Sequence, residues 1–154
     1  MVGRVPAKYA PAHLTRSDKR KQIAAIHRSR RAYKKGKYIG RAKLASAKTR
    51  KSKHTRRLVK MYRIPPRGIT LRALAKRAGC SLKAFGRILS KGRGAFYSSG
   101  SRPNQSPQSW ARARLYSAIT GGPAAKVDRH IMEEDCKANS KALRLAQQAG
   151  GGGR

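Results

Sequence analysis

Residues 70–89, TLRALAKRAGCSLKAFGRIL, constrain the fold more than any other stretch. Leu71, Leu74, Ala75 and Ala78 recur at i, i+3, i+4 and i+7, the apolar stripe of one helix face. Thr70 stands just ahead of them, where its hydroxyl can accept from the first unpaired N–H groups. Gly79 follows the last periodic residue and supplies the left-handed conformation that closes a helix without a Cβ clash. Ser81 offers a second N-cap, and Leu82, Phe85, Ile88 and Leu89 form a second stripe. Two short helices joined through so tight a turn cross steeply and share one small core. That is the geometry of a helix–turn–helix unit.

The segment resembles the DNA-binding unit of bacterial repressors such as the lactose-repressor family. In that family a small Ala precedes a turn Gly by four residues, as Ala75 precedes Gly79 here, and the buried positions after the turn correspond to Cys80, Phe85 and Ile88. The resemblance implies a second helix that enters the major groove, with Ser81, Lys83, Ala84 and Arg87 toward the bases. A hairpin that only packs is the other reading, since a fold does not settle a function.

Charge decides the class of partner. Among 154 residues, 39 are Lys or Arg and 5 are Asp or Glu, a formal net charge of +34. A compact domain of that charge repels itself, and polyanions are its natural counter-ligands. Nucleic acid leads, with duplex DNA favoured over RNA. No apolar run approaches the roughly 18 residues of a membrane span, so no membrane partner is expected. The stretch MVGRVPAKYAPAHL lacks the apolar core of a signal peptide, and secretion is not expected. Cys80 and Cys136 have no His or Cys at metal-ligand spacing. They read as reduced and structural, with Cys80 inside the turn core.

The charge is unevenly spread. Residues 1–63 carry 22 Lys and Arg against Asp18 alone, whereas Asp128, Glu133, Glu134 and Asp135 cluster near the C-terminus. A basic arm over residues 1–64, partly helical and with a weak core, is therefore expected ahead of an all-α domain over 65–148. The boundary falls at Ile64-Pro65-Pro66, because paired prolines stop a helix. Thr15-Arg16-Ser17-Asp18 forms a helix-capping start in the arm. The run RAKLASAKTRKSKH has too few large apolar groups to offset its ordering entropy, so the arm folds fully only on a partner. Its candidate phosphate contacts are Lys19, Arg20, Lys21, Arg28, Arg30, Arg31, Lys34, Lys35, Lys48, Arg50, Lys51, Lys53, Arg56 and Arg57. A solvated polybasic tail or a nuclear-import signal is the alternative. Phosphate contacts carry no sequence information in either case.

Within the domain, helices are expected near 70–78, 81–91, 107–119, 125–134 and 138–147, with a flexible Gly-rich tail over 149–154. The polar stretch 92–106 reads as a loop. Arg93 lies between two glycines, Tyr97 offers an aromatic face and Arg102 a bidentate donor. Such a loop can hold an anion and stack a base, or order the next helix through its own backbone bonds. Ser106-Pro107 opens that helix. Its Trp110 belongs to the core. Asn139 or Ser140 caps the last helix. The acidic cluster reads as a clamp on the basic arm or as a solvated face.

GAFYSSGSRPNQSPQSWARARL followed by AITGGPAAKVD is similar to a family of small basic domains of unknown function. The family occurs in large DNA viruses of algae and amoebae and, more distantly, in tailed phages. The resemblance runs from about Val2 to Gln147 and implies a viral origin and a small helical protein, in the virion or the infected host cell. It implies no activity. No acid/base pair, nucleophile elbow or metal set is present, so no catalytic role, cofactor or small-molecule substrate is expected. The expected function is non-enzymatic binding of nucleic acid, probing phosphates to condense or organise a viral genome. The alternative is a minor virion structural protein joined to capsid or core proteins.

Overall fold

In a computed structural model, which describes residues 3–48 and 52–151, the protein is all-α. The helices are α1 (Arg16–Lys34), α2 (Lys53–Tyr62), α3 (Leu71–Ala78), α4 (Leu82–Ser98), α5 (Pro107–Ile119), α6 (Pro123–Val127), α7 (Arg129–Asp135) and α8 (Lys141–Gly151). Short 3₁₀ turns lie at Ala7–Tyr9 and Pro66–Gly68. Among the described residues the only strand-like pairing is an isolated bridge between Cys80 and Cys136. No described helix is long and apolar enough to cross a membrane.

The chain forms two packed units, and each draws on two stretches of sequence. Residues 1–50 pack with 92–110, and residues 51–91 with 111–154. This replaces the expected division at Ile64-Pro65-Pro66. Ile64 is buried in the core of the second unit, and the prolines lead into a 3₁₀ turn inside it. The basic arm does not stand apart either, because residues 92–110 supply it with a partner from the same chain.

The second unit holds the larger core. Leu58 and Tyr62 of α2, Leu74 and Ala78 of α3, Phe85 and Ile88 of α4, and Leu115 and Ile119 of α5 are buried there, with Ile131, Met132 and Leu143. The caps of α3 and α4 are as the sequence requires. The Thr70 hydroxyl accepts from the Ala73 N–H at 3.1 Å, and the Ser81 hydroxyl from the Ala84 N–H at 3.1 Å. Gly79 has φ +77°, and a Cβ there would lie 2.7 Å from the Ser140 Cβ, so the turn admits glycine alone. Ala84 is fully buried, which removes it from the face expected to read bases.

The cysteines correct a second expectation. Cys80 and Cys136 form a disulfide, with Cα atoms 3.9 Å apart across 56 residues of sequence. Backbone bonds flank it: Ser81 N–H donates to the Asp135 carbonyl at 3.0 Å and Lys137 N–H to the Gly79 carbonyl at 2.8 Å. The bridge thus joins the turn after α3 to the end of α7.

Three helix bounds also differ. The helix expected to end at residue 91 continues through Gly92 and Gly94 to Ser98, so the loop begins at Ser99. The helix expected over 125–134 breaks at Asp128, whose buried carboxylate binds Arg114 through two bonds of 2.8 Å. The last helix starts at Lys141, with the Ser140 hydroxyl accepting from Leu143 N–H at 3.2 Å. It continues to Gly151, so the expected tail is helical over its first residues, and the rest of it lies outside the described residues.

Candidate nucleic-acid interface

The first unit is ordered mainly through polar side chains. Thr15 caps α1 by accepting from Asp18 N–H at 3.1 Å. Asp18, Gln22, Ile26 and Ser29 then recur at helical spacing and are the buried residues of α1. The Asp18 carboxylate accepts from Ser46 N–H at 3.0 Å and from the Ser46 hydroxyl. Those two bonds, the side-chain one foremost, hold its carboxyl below the ordinary 3.8. Gln22 donates to the Tyr9 and Ser101 carbonyls at 3.1 and 3.3 Å. Ile26 packs beside Tyr9 near Gly100, and Tyr9 meets Trp110 edge-on at 5.7 Å between centroids.

A helix ends with unpaired carbonyls, and α1 helps to satisfy those of α4. The Ser29 hydroxyl donates to the Tyr97 carbonyl at 2.9 Å, and Arg30 Nε to the Ser99 carbonyl at 2.8 Å. Arg41 Nη1 donates to the Phe96 carbonyl at 2.9 Å, and its Nη2 to the Ser101 hydroxyl at 2.8 Å. The Arg41 guanidinium also lies 3.8 Å from the centroid of the Phe96 ring. Cations suit this end of the helix dipole. Burial lowers the Arg41 group to about 10, which still leaves it charged at neutral pH. Nothing in the local sequence distinguishes Arg41 from its neighbours, since its partners Ser29, Phe96 and Ser101 lie 12, 55 and 60 residues away.

The opposite face of α1 is basic. Arg16, Lys19, Arg20, Lys21, Arg28, Arg31 and Lys34 are all exposed. Along one flank, Arg4, Arg30, Arg31 and Lys34 line a groove of about 300 Å³ with Gly3, Ser98 and Ser99. Arg30 is committed to the Ser99 and Gly3 carbonyls and shapes the groove wall. Next to the groove in sequence, Tyr33 and Tyr97 join Tyr38 in a ring cluster, with Tyr33–Tyr38 centroids 5.9 Å and Tyr38–Tyr97 centroids 5.3 Å apart. Sequence reasoning named Tyr97 but missed Arg4, Tyr33 and Tyr38. The Tyr-Lys-Lys-Gly-Lys-Tyr run was the available signal, a helix-closing glycine between two aromatics.

The expected contacts therefore separate. Arg30, Arg31 and Lys34 share the groove, and Lys19, Arg20, Lys21 and Arg28 share the outer face of α1. Lys35, Lys48, Arg93 and Arg102 are exposed elsewhere in the first unit. Arg50 and Lys51 lie outside the described residues. In the second unit, Lys53 and Arg56 are exposed on α2, and Arg57 donates to the Thr120 carbonyl at 2.9 Å. Ser81 caps α4 and Lys83 is exposed.

Arg87 corrects the expectation of an open base reader. It pairs with Glu134 at 2.6 Å and Asp135 at 2.8 Å, and hydrogen bonds to Asp135, then Glu134, raise its already high pKa. Those carboxylates would also repel an approaching phosphate. The acidic cluster is a solvated face only at Glu133 and Glu134, which are exposed, whereas Asp128 is buried and Asp135 largely so. Asp128 binds Arg114, Glu133 binds Arg129, and Glu134 and Asp135 bind Arg87, all within the second unit.

No curated protein and no solved structure matches the chain. Residues 6–139 match the model of a family of unknown function, DUF5824. The chain belongs to that family.

Proposed function

We propose that this is a non-enzymatic nucleic-acid-binding protein that works through phosphate contacts made by the outer face of α1. One observation carries the reading. The chain has five carboxylates, and each is engaged: Asp18 with Ser46, and the other four with Arg87, Arg114 and Arg129. Of the seven exposed cations on α1, Lys21 acts on the Asp18 carboxylate, and the other six pair with no carboxylate among the described residues. Phosphates supply the opposite charge, and release of their condensed counterions drives binding. The resemblance to domains of large DNA viruses supports a viral setting, in which such a protein condenses or organises the genome within the virion or the host cell.

Titration against a random duplex at several salt concentrations tests this. Log K is expected to fall linearly with log salt, by about 0.9 per phosphate contact. Replacing Lys19, Arg20 and Arg28 by alanine should flatten the slope by roughly 3 if each meets one phosphate. A parent protein with no measurable affinity, or with affinity independent of salt, would overturn the proposal.

A further inference from the structure

We infer that the Tyr33–Tyr38–Tyr97 cluster and the basic groove beside it form a site for an unpaired nucleotide, the rings taking the base and the groove its phosphate. The inference rests on the nucleic-acid reading above and adds a preference for single strands.

Two of the rings are presented to solvent, and Tyr97 is half-buried. Tyr38 is 66% exposed and Tyr33 38%. A short turn holds them there. Gly36 has φ +75°, its N–H donates to the Tyr33 carbonyl at 2.9 Å, and Lys37 N–H donates to the Ala32 carbonyl at 2.9 Å. This paired closure of a helix end requires a left-handed residue at position 36, and it folds the chain back so that Tyr38 reaches Tyr33. A ring already fixed in place loses little conformational freedom when a base stacks on it.

Charge complementarity identifies the occupant. Lys34 follows Tyr33 and Ser98 follows Tyr97, so residues that line the groove are immediate chain neighbours of two of the rings, on α1 and on α4. Arg4, Arg31 and Lys34 bring three cations to it, Ser98 and Ser99 bring hydroxyls, and no carboxylate lines it. An aromatic platform beside a positive groove is the arrangement that binds single strands without sequence preference. In a duplex the base faces are already stacked on their neighbours, which leaves phosphates and groove edges but no free face for a ring. The rings therefore discriminate between strands where the cations cannot.

The test uses the full chain, a fluorescein-labelled oligothymidylate and a random duplex of equal length, followed by anisotropy. Tyr38→Ala should weaken oligothymidylate binding roughly 5- to 150-fold, the range for losing one stacked base. Duplex affinity should not change. Tyr38→Phe should retain the parent's single-strand affinity, since the ring is kept. The double variant Arg31→Ala, Lys34→Ala should weaken both ligands and lower the single-strand salt slope by about 1.4. A parent that binds both ligands, with Tyr38→Ala unaltered on oligothymidylate or equally weakened on both, overturns this site and leaves the phosphate reading standing. A parent that binds neither ligand overturns both.

Discussion

Removing the Cys80–Cys136 bridge gives the sharpest test of how the second unit is held together. The bond joins residues 56 apart in sequence, so it closes a long loop in the unfolded chain. Chain entropy for such a loop corresponds to about 4 kcal/mol of stabilisation at 25 °C. In the folded state, the Ser81–Asp135 and Lys137–Gly79 backbone bonds hold the two sulfurs' neighbours in register without the covalent link. The loss on reduction therefore acts mainly on the unfolded ensemble. A domain stable by about 5–15 kcal/mol would give up a quarter or more of its stability. For a chain of this length the midpoint should fall by roughly 10 °C. The assay is unfolding by heat, and at equilibrium in guanidinium, followed by far-ultraviolet circular dichroism. It compares oxidised protein, dithiothreitol-reduced protein and the double variant Cys80→Ser, Cys136→Ser, with alkylation and mass measurement confirming the redox state. Reduced protein and the double variant should unfold together, well below the oxidised form. Coincident curves for all three would refute the loop-closure argument.

Three further outcomes follow from the packing. Phe85→Ala should cost about 3–5 kcal/mol, because its ring is buried in the core of the second unit, and an unchanged melting temperature would show that the ring is not buried. Arg41→Ala should cost about 1–3 kcal/mol for each buried acceptor it strands among Phe96 and Ser101, read through the near-ultraviolet signal of Trp110 in the same unit. Asp18 binds its proton less readily in the folded state than in the unfolded chain, where it titrates near 3.8. Its contribution is therefore complete above that value and is lost as pH falls through the lower folded pKa. Asp18→Asn should remove this part of the acid sensitivity, and an acid-unfolding curve identical to the parent's would contradict the Asp18–Ser46 contact.

What the sequence determined by itself is local. Thr15, Thr70, Ser81 and Ser106 cap their helices because each hydroxyl meets an N–H three residues ahead. The left-handed Gly79 and the buried Phe85 belong to the same short range, where periodicity and turn chemistry are read directly. The basic character of the surface also follows from composition. Tertiary structure decided everything that depends on pairs far apart in the chain. Residues 92–110 join the N-terminal segment because Ser29, Arg30 and Arg41 meet carbonyls 55 to 69 residues away. No local pattern announces which carbonyl a serine or arginine will find. Arg87 looked free for the same reason, since its acidic partners lie 47 and 48 residues further on. The cysteines looked unpaired because only the fold brings the α3–α4 turn against the end of α7. Helix formation is specified by neighbours within one or two turns, whereas the choice of partner for a polar side chain is made only when the helices have packed.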